Sequence, residues 1–281
     1  MIQRNVPRFS RIVAPLVLAC CLAFVLVPSV AAAPRSPAAT LIGPKAYYLA
    51  LGDSLAFGFQ PDLDFTHGYT DDFYSNLQSH GVSHYANMAC PGETSSSMIN
   101  GGCSGVLRKY PYIEPQLQAA VEYLQAHAGQ VSPVTLDIGV NDLLGDLNTS
   151  TCAVSSNLSN DLATMDNNIR HTILPQLVAA MTVNGKVTGD LFLLNYYDPF
   201  ANICPNTVAL AETLNQHLAA DASGYATVVD IFDPFGGAAT PNPDICTYTW
   251  MCSFPITSLA IHATTTGYQV MAKAIEQTAG Y

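Results

Sequence analysis

The sequence predicts one α/β domain: a parallel sheet covered by helices on both faces, in three layers. Two observations carry this. Apolar runs of strand length alternate with stretches of helical spacing from about residue 40 onward. The strand-length runs are apolar almost throughout rather than at every second residue, which is the pattern of strands buried on both faces. The composition supports a real core, with 49% hydrophobic and 11% charged residues in 281. A chain this apolar buries enough surface to offset the entropy of ordering, so disorder is excluded.

The elements follow in order. Strands are expected at Ala46–Leu51, Val134–Gly139, Leu191–Tyr196 and Thr227–Phe232, with a weaker one at His84–Met88. Helices are expected at Asp71–Ser79, Pro115–Ala128, Leu158–Met181, Val208–Ala222 and Tyr268–Thr278. In the fourth helix Val208, Leu210, Ala211, Leu214, Leu218 and Ala219 recur at spacings of three and four, giving one apolar face. No internal repeat or low-complexity tract interrupts the pattern.

The first 33 residues read as a secretory signal peptide. Arg4, Arg8 and Arg11 form a basic start, Ile12 to Val27 is an almost unbroken apolar run, and Ser29-Val30-Ala31-Ala32-Ala33 supplies small residues for cleavage. An uncleaved anchor is the competing reading, on a run near the lower length limit for a span. Cys20 lies inside the apolar run rather than at its end, which argues against a lipoprotein. A short extension (34–44) and the domain proper (45–281) follow. No other segment is long and apolar enough to span a bilayer, so no stable span remains once the leader is removed. The formal charge is −11, and losing three arginines and no acid with the leader takes it to −14. Clustered Lys and Arg are lacking, which excludes a phosphate-binding, nucleic-acid surface. The expectation is a secreted, extracellular monomer acting on a small-molecule or lipid substrate.

Cys20 and Cys21 leave with the leader, and Cys90, Cys103, Cys152, Cys204, Cys246 and Cys252 remain. An even count in an exported chain favours disulfides. Zinc is disfavoured, since no Cys-x-x-Cys pair exists and no His is grouped with Cys. Of the 15 connectivities open to six cysteines, pairing of sequence neighbours is favoured: Cys90–Cys103, Cys152–Cys204 and Cys246–Cys252.

Parallel α/β sheets hold their sites beyond the carboxyl ends of the strands. There the sequence reads Gly52-Asp53-Ser54, Ala89-Cys90-Pro91-Gly92, Gly139-Val140-Asn141-Asp142, Tyr197-Asp198 and Asp233. Ser54 would expose a hydroxyl at the rim of the sheet, although Gly-Asp-Ser alone is an ordinary turn. Asn141 could donate a side-chain N–H to a developing oxyanion, and Gly92 a backbone N–H that approaches a ligand closely. Asp142 also suits a helix N-cap. His262, on a loop before the last helix, is the best placed of seven histidines. His80 and His84 are separated by Gly81, and His127, His171 and His217 fall inside helical stretches.

Taken together, Gly52-Asp53-Ser54-Leu55, Gly92, Gly139-Val140-Asn141-Asp142 and His262 with Gly267-Tyr268 resemble the GDSL esterase/lipase family of SGNH hydrolases, in order and spacing across the mature chain. The resemblance implies a flavodoxin-like three-layer α/β/α fold with a parallel sheet of about five strands, and hydrolysis of carboxylic esters. It also implies Ser54 as nucleophile, His262 as general base, and an oxyanion hole from the Ser54 and Gly92 amides and the Asn141 side chain. No metal or organic cofactor is implied. The six-cysteine form is similar to bacterial extracellular members stapled by three disulfides.

The chain departs from the family pattern at Leu259, where an Asp usually stands three residues before the histidine, and at Ala263, where Pro is common. The imidazole still needs an acceptor for its second N–H. The backbone carbonyl of Leu259 or Ala260 is expected to provide it, in preference to Asp230, Asp233 or Asp244, giving a Ser–His dyad. Carbohydrate acetylesterase and thioesterase are the competing activities, and a catalytically silent secreted binding domain the competing class. Phe57, Phe59, Tyr69, Tyr197, Phe200 and Phe254 are candidates to line an acyl tunnel or to sit in the core.

Overall fold

The computed structural model describes residues 41–103 and 107–281. The expected leader (1–33) and residues 34–40 of the extension lie outside the described residues. Five parallel strands make the central sheet: β1 (Tyr47–Gly52), β2 (His84–Asn87), β3 (Val131–Asp137), β4 (Leu191–Leu194) and β5 (Thr227–Val229). Their order is β2-β1-β3-β4-β5, the flavodoxin-like winding, with its reversal of direction between β1 and β3. β1, β3 and β4 are buried almost throughout, as apolar runs without alternation require.

The main helices are α1 (Tyr69–Gln78), α2 (Gln116–Ala126), α3 (Leu158–Asn168), α4 (Thr207–Ala222) and α5 (Thr265–Ala279). α1 and α5 pack against each other, while α3 contacts α4. None of the described helices is long and apolar enough to cross a membrane.

The elements differ from the sequence reading in three instructive places. β3 starts three residues early, at Val131, although Pro133 cannot donate to a ladder. An irregularity between Tyr47 and Leu49 absorbs the extra residue of β3, the usual way a sheet tolerates proline. β4 and β5 end sooner than their apolar runs do. Beyond Val229 the Asn195 side-chain oxygen accepts from the Ile231 and Phe232 amides, replacing the ladder while Ile231 stays buried. The long stretch 158–181 is not one regular helix. α3 passes through a wide π turn at Ile169–Ile173 before resuming at Leu174–Ala180. Pro175 has no N–H to return to the turn before it, and a widened turn accommodates that.

Three disulfides join Cys90 to Cys103, Cys152 to Cys204 and Cys246 to Cys252. The second ties a small hairpin (Leu147–Asn148 with Ala153–Val154) to the loop preceding α4. The third closes the turn beside the His262 loop, where Trp250 N donates to the His262 carbonyl at 3.1 Å and Thr249 bridges Ala263.

At the top of β1 the chain must turn sharply over β3. Gly52 has φ +131°, and a Cβ there would overlap the Asp137 side chain and carbonyl. Only glycine fits, on both grounds. Gly52→Ala should therefore cost about 3 kcal/mol or more, read as a lowered denaturant midpoint.

Candidate active site

The switch point between β1 and β3 brings three loops together. Ser54 opens a one-turn helix (Ser54–Phe57) directly after β1, and the Asp53 carboxylate before it accepts the Leu55 N–H at 2.8 Å. That cap fixes the turn and leaves Ser54 half-buried at the rim. His262 arrives from the far end of the chain and is 7% exposed. Its Nε2 lies 2.8 Å from Ser54 Oγ, and its Nδ1 lies 2.7 Å from the Leu259 carbonyl oxygen. A carbonyl can only accept, so Nδ1 carries the proton and Nε2 presents its lone pair to the serine hydroxyl.

Other groups hold this imidazole in place. The Phe59 ring packs on it at 4.7 Å between centroids, and the Tyr197 hydroxyl donates to the Ile261 carbonyl at 2.7 Å. The Asp230 carboxylate is engaged elsewhere, accepting from the Asn195 side chain and the Phe232 amide. Burial lowers the His262 pKa below its ordinary 6.5, partly opposed by the bond to Leu259.

Asn141 follows β3 in a one-turn helix (Val140–Leu143). Its Nδ2 donates to Asp53 Oδ2 at 3.2 Å and to the Glu93 carbonyl at 3.0 Å, tying the third loop to the other two. Gly92 is exposed, with φ +84°, and stands one residue from that contact. Asp142 does not cap its own helix. Its carboxylate accepts from the Ser95 hydroxyl at 2.6 Å and the Ser95 amide at 2.8 Å, fixing the turn of helix after β3 against the helix Ser95–Asn100.

Sequence reasoning missed the polar layer beneath the serine. Asp53 and Asp137 are both fully buried. Asp53 also accepts from the Tyr196 hydroxyl at 3.0 Å, and its own amide donates to Asp137 Oδ1 at 3.1 Å. Burial pushes Asp53 up to about 7 and, together with the Asp53 charge, raises Asp137 well above the carboxylate range. One signal was legible: Asp137 is the charged residue in an apolar-rich run, between Leu136 and Ile138. Glu93 is also buried, receiving the Gln116 side chain at 2.9 Å. Nothing in its sequence context marks it.

Ser54, Asn141 and His262 open onto a cleft that also includes Tyr197 and Phe200. Phe57 and Tyr69 are core residues. The described His, Cys, Asp and Glu side chains gather in a metal-ligand-like group at Cys90, Glu93 and Cys103. Those two sulfurs are bonded to each other and offer no thiolate.

A hydroxyl within hydrogen-bond distance of an imidazole thus lies at the carboxyl ends of a parallel, doubly wound sheet. Residues 50–270 match the GDSL-like lipase/acylhydrolase family; the chain belongs to that family and is a carboxylic ester hydrolase. Solved structures of similar fold include an acetylxylan esterase from Geobacillus stearothermophilus, with TM-score 0.55 and 15% identity, covering 85% of this chain and 96% of that one. A putative GDSL-like lipase from Parabacteroides merdae has TM-score 0.55 and 14% identity over 85% and 97%. A carbohydrate acetylesterase from Sinorhizobium meliloti has TM-score 0.53 and 14% identity over 84% and 99%. No curated protein sequence matches the chain.

The raised carboxyl makes stability depend on pH. Asp53 holds its proton more tightly folded, near 7, than unfolded, near 3.8. Its contribution is complete below about pH 4 and is lost as pH rises through about 7. The denaturant midpoint should fall over that window, and Asp53→Asn, which cannot ionise, should make the fall shallower, with the buried Asp137 supplying what remains.

Proposed function

We propose that the protein is a secreted esterase working through a Ser54–His262 dyad, with the Leu259 carbonyl in the place of a carboxylate. The 2.8 Å contact between Ser54 Oγ and His262 Nε2 is the observation that carries this reading. Three disulfides suit an oxidising, extracellular compartment, in keeping with the leader-like start of the sequence.

In the first half-reaction Ser54 Oγ attacks the ester carbonyl carbon while its proton passes to His262 Nε2. The carbonyl oxygen gains the negative charge and is held by the Ser54 and Gly92 amides and by Asn141. The Asn141 donor must give up its longer bond, the one to Asp53, to reach that oxygen. The tetrahedral adduct then collapses, the C–O bond to the alcohol breaks, and His262 returns the proton to the departing oxygen. Water repeats the sequence on the acyl-serine, leaving a carboxylic acid and free Ser54. The Leu259 carbonyl fixes the tautomer but brings no full negative charge to the imidazolium. Esters, with their better leaving groups, are therefore cleaved in preference to amides.

A fluorophosphonate probe should label Ser54 covalently. Labelling should vanish in Ser54→Ala and slow strongly in His262→Ala, as measured by intact mass. Equal labelling of the wild type and Ser54→Ala would point instead to a silent binding domain. Removing the Asn141 donor as Asn141→Ala should lower kcat by about 10²–10³, with a much smaller change in KM.

Because burial lowers the His262 pKa, its basic form persists into mild acid. The acid limb of the kcat/KM profile for a p-nitrophenyl ester should lie below pH 6.5, and a limb at or above 7 would indicate a carboxylate partner.

A further inference from the structure

A buried carboxamide links the strand that leads into Ser54 to the loop that anchors Asn141. β1 pairs with β2 as far as Ala50 with Asn87, so the strand ladder on that side runs out before Gly52. Gln116, the first residue of α2 and 1% exposed, takes over there. Its Oε1 accepts the Gly52 N–H at 2.7 Å. Its Nε2 donates to the Gly52 carbonyl at 2.9 Å and to Glu93 Oε2 at 2.9 Å. One orientation of the amide satisfies all three partners, because Gly52 N–H needs the oxygen and the other two need the N–H groups.

Glu93 is held from both sides. Its other carboxylate oxygen accepts from Ser97 Oγ, on the helix Ser95–Asn100. Burial raises the Glu93 pKa, opposed by the hydrogen bonds from Ser97 and Gln116. The backbone carbonyl of the same residue accepts from Asn141 Nδ2 at 3.0 Å. Of the two bonds that Nδ2 makes, the longer one to Asp53 is the one released toward the oxyanion. The bond to Glu93 stays, so the place of the Glu93 carbonyl sets where the freed N–H points.

Resting on the esterase reading above, we propose that Gln116 is a positioning residue for the reaction: through Glu93 it fixes the Asn141 donor relative to Ser54. It touches neither the substrate nor the reacting atoms. Asn141 acts on charge that develops in the transition state, so losing its alignment lowers kcat and leaves KM close to its original value.

The test is kcat and KM for p-nitrophenyl butyrate in Gln116→Met, in Asn141→Ala and in the double variant. Met is close to Gln in shape and offers neither the N–H nor the C=O. Gln116→Met should lower kcat by about tenfold to a hundredfold, the range that a displacement approaching 1 Å produces, with KM nearly unchanged. In the Asn141→Ala background the same change should cost far less, since the donor it positions is gone. Glu93→Gln still offers Gln116 an acceptor oxygen and should keep most of the wild-type kcat, whereas Glu93→Leu should lose kcat as Gln116→Met does. An unchanged kcat in Gln116→Met, a loss carried by KM, or losses that multiply in full with Asn141→Ala overturn the proposal. If Gln116→Met does not fold, the Glu93 pair decides, and equal kcat in Glu93→Gln and Glu93→Leu overturns it. Failure of the wild type to cleave any ester, with no phosphonate labelling of Ser54, overturns the esterase reading itself.

Discussion

The structure depends on how closely β1 and β3 approach at the top of the sheet. Gly52 and Asp137 are register partners there, with no space for a side chain on the first. This contact turns the chain sharply enough to place Ser54 at the rim, and it puts the Asp137 carboxylate directly under the Asp53 amide. A parallel sheet opens a crevice wherever its strand order reverses; here Asp53 lines it, with Asp137 buried behind.

Ion-pair chemistry is sparse around the site. Asp53 is satisfied by an amide, a phenol and a carboxamide rather than by a cation, and the His262 ring N–H by a peptide carbonyl. Neutral partners orient as well as charged ones do, yet they do not compensate a full charge in a dry interior. Burial therefore governs both titrations, raising the acid and lowering the base. Both shifts favour uncharged forms. The cost falls on the moment when imidazolium forms, which a carboxylate at position 259 would have eased.

Stiffness is concentrated where the chain's ends and loops meet the site. His262 sits on a loop bridged to the turn that Cys246–Cys252 closes, and Tyr197 pins the neighbouring Ile261 carbonyl. The hairpin at Leu147–Val154 is held by Cys152–Cys204. Both loops lack the dense burial of the strands and gain by covalent closure what they do not gain by packing.

The sequence by itself determined the fold class, the order of strands and helices, and the residues at the strand ends from which a site is built. Continuous apolar runs admit little else than buried parallel strands, and small or polar residues just beyond them are legible at the same stage. Ser54 and Asn141 were legible for this reason, and His262 from its place on a loop before the last helix. Tertiary structure alone decided what lies beneath and beside them. Asp53, Asp137 and Tyr196 come from three strand ends, and their shared hydrogen bonds have no local sequence signature. Local patterns record what each segment buries; which buried groups meet, and which apolar faces remain unfilled, depends on distances between segments that the chain closes only on folding.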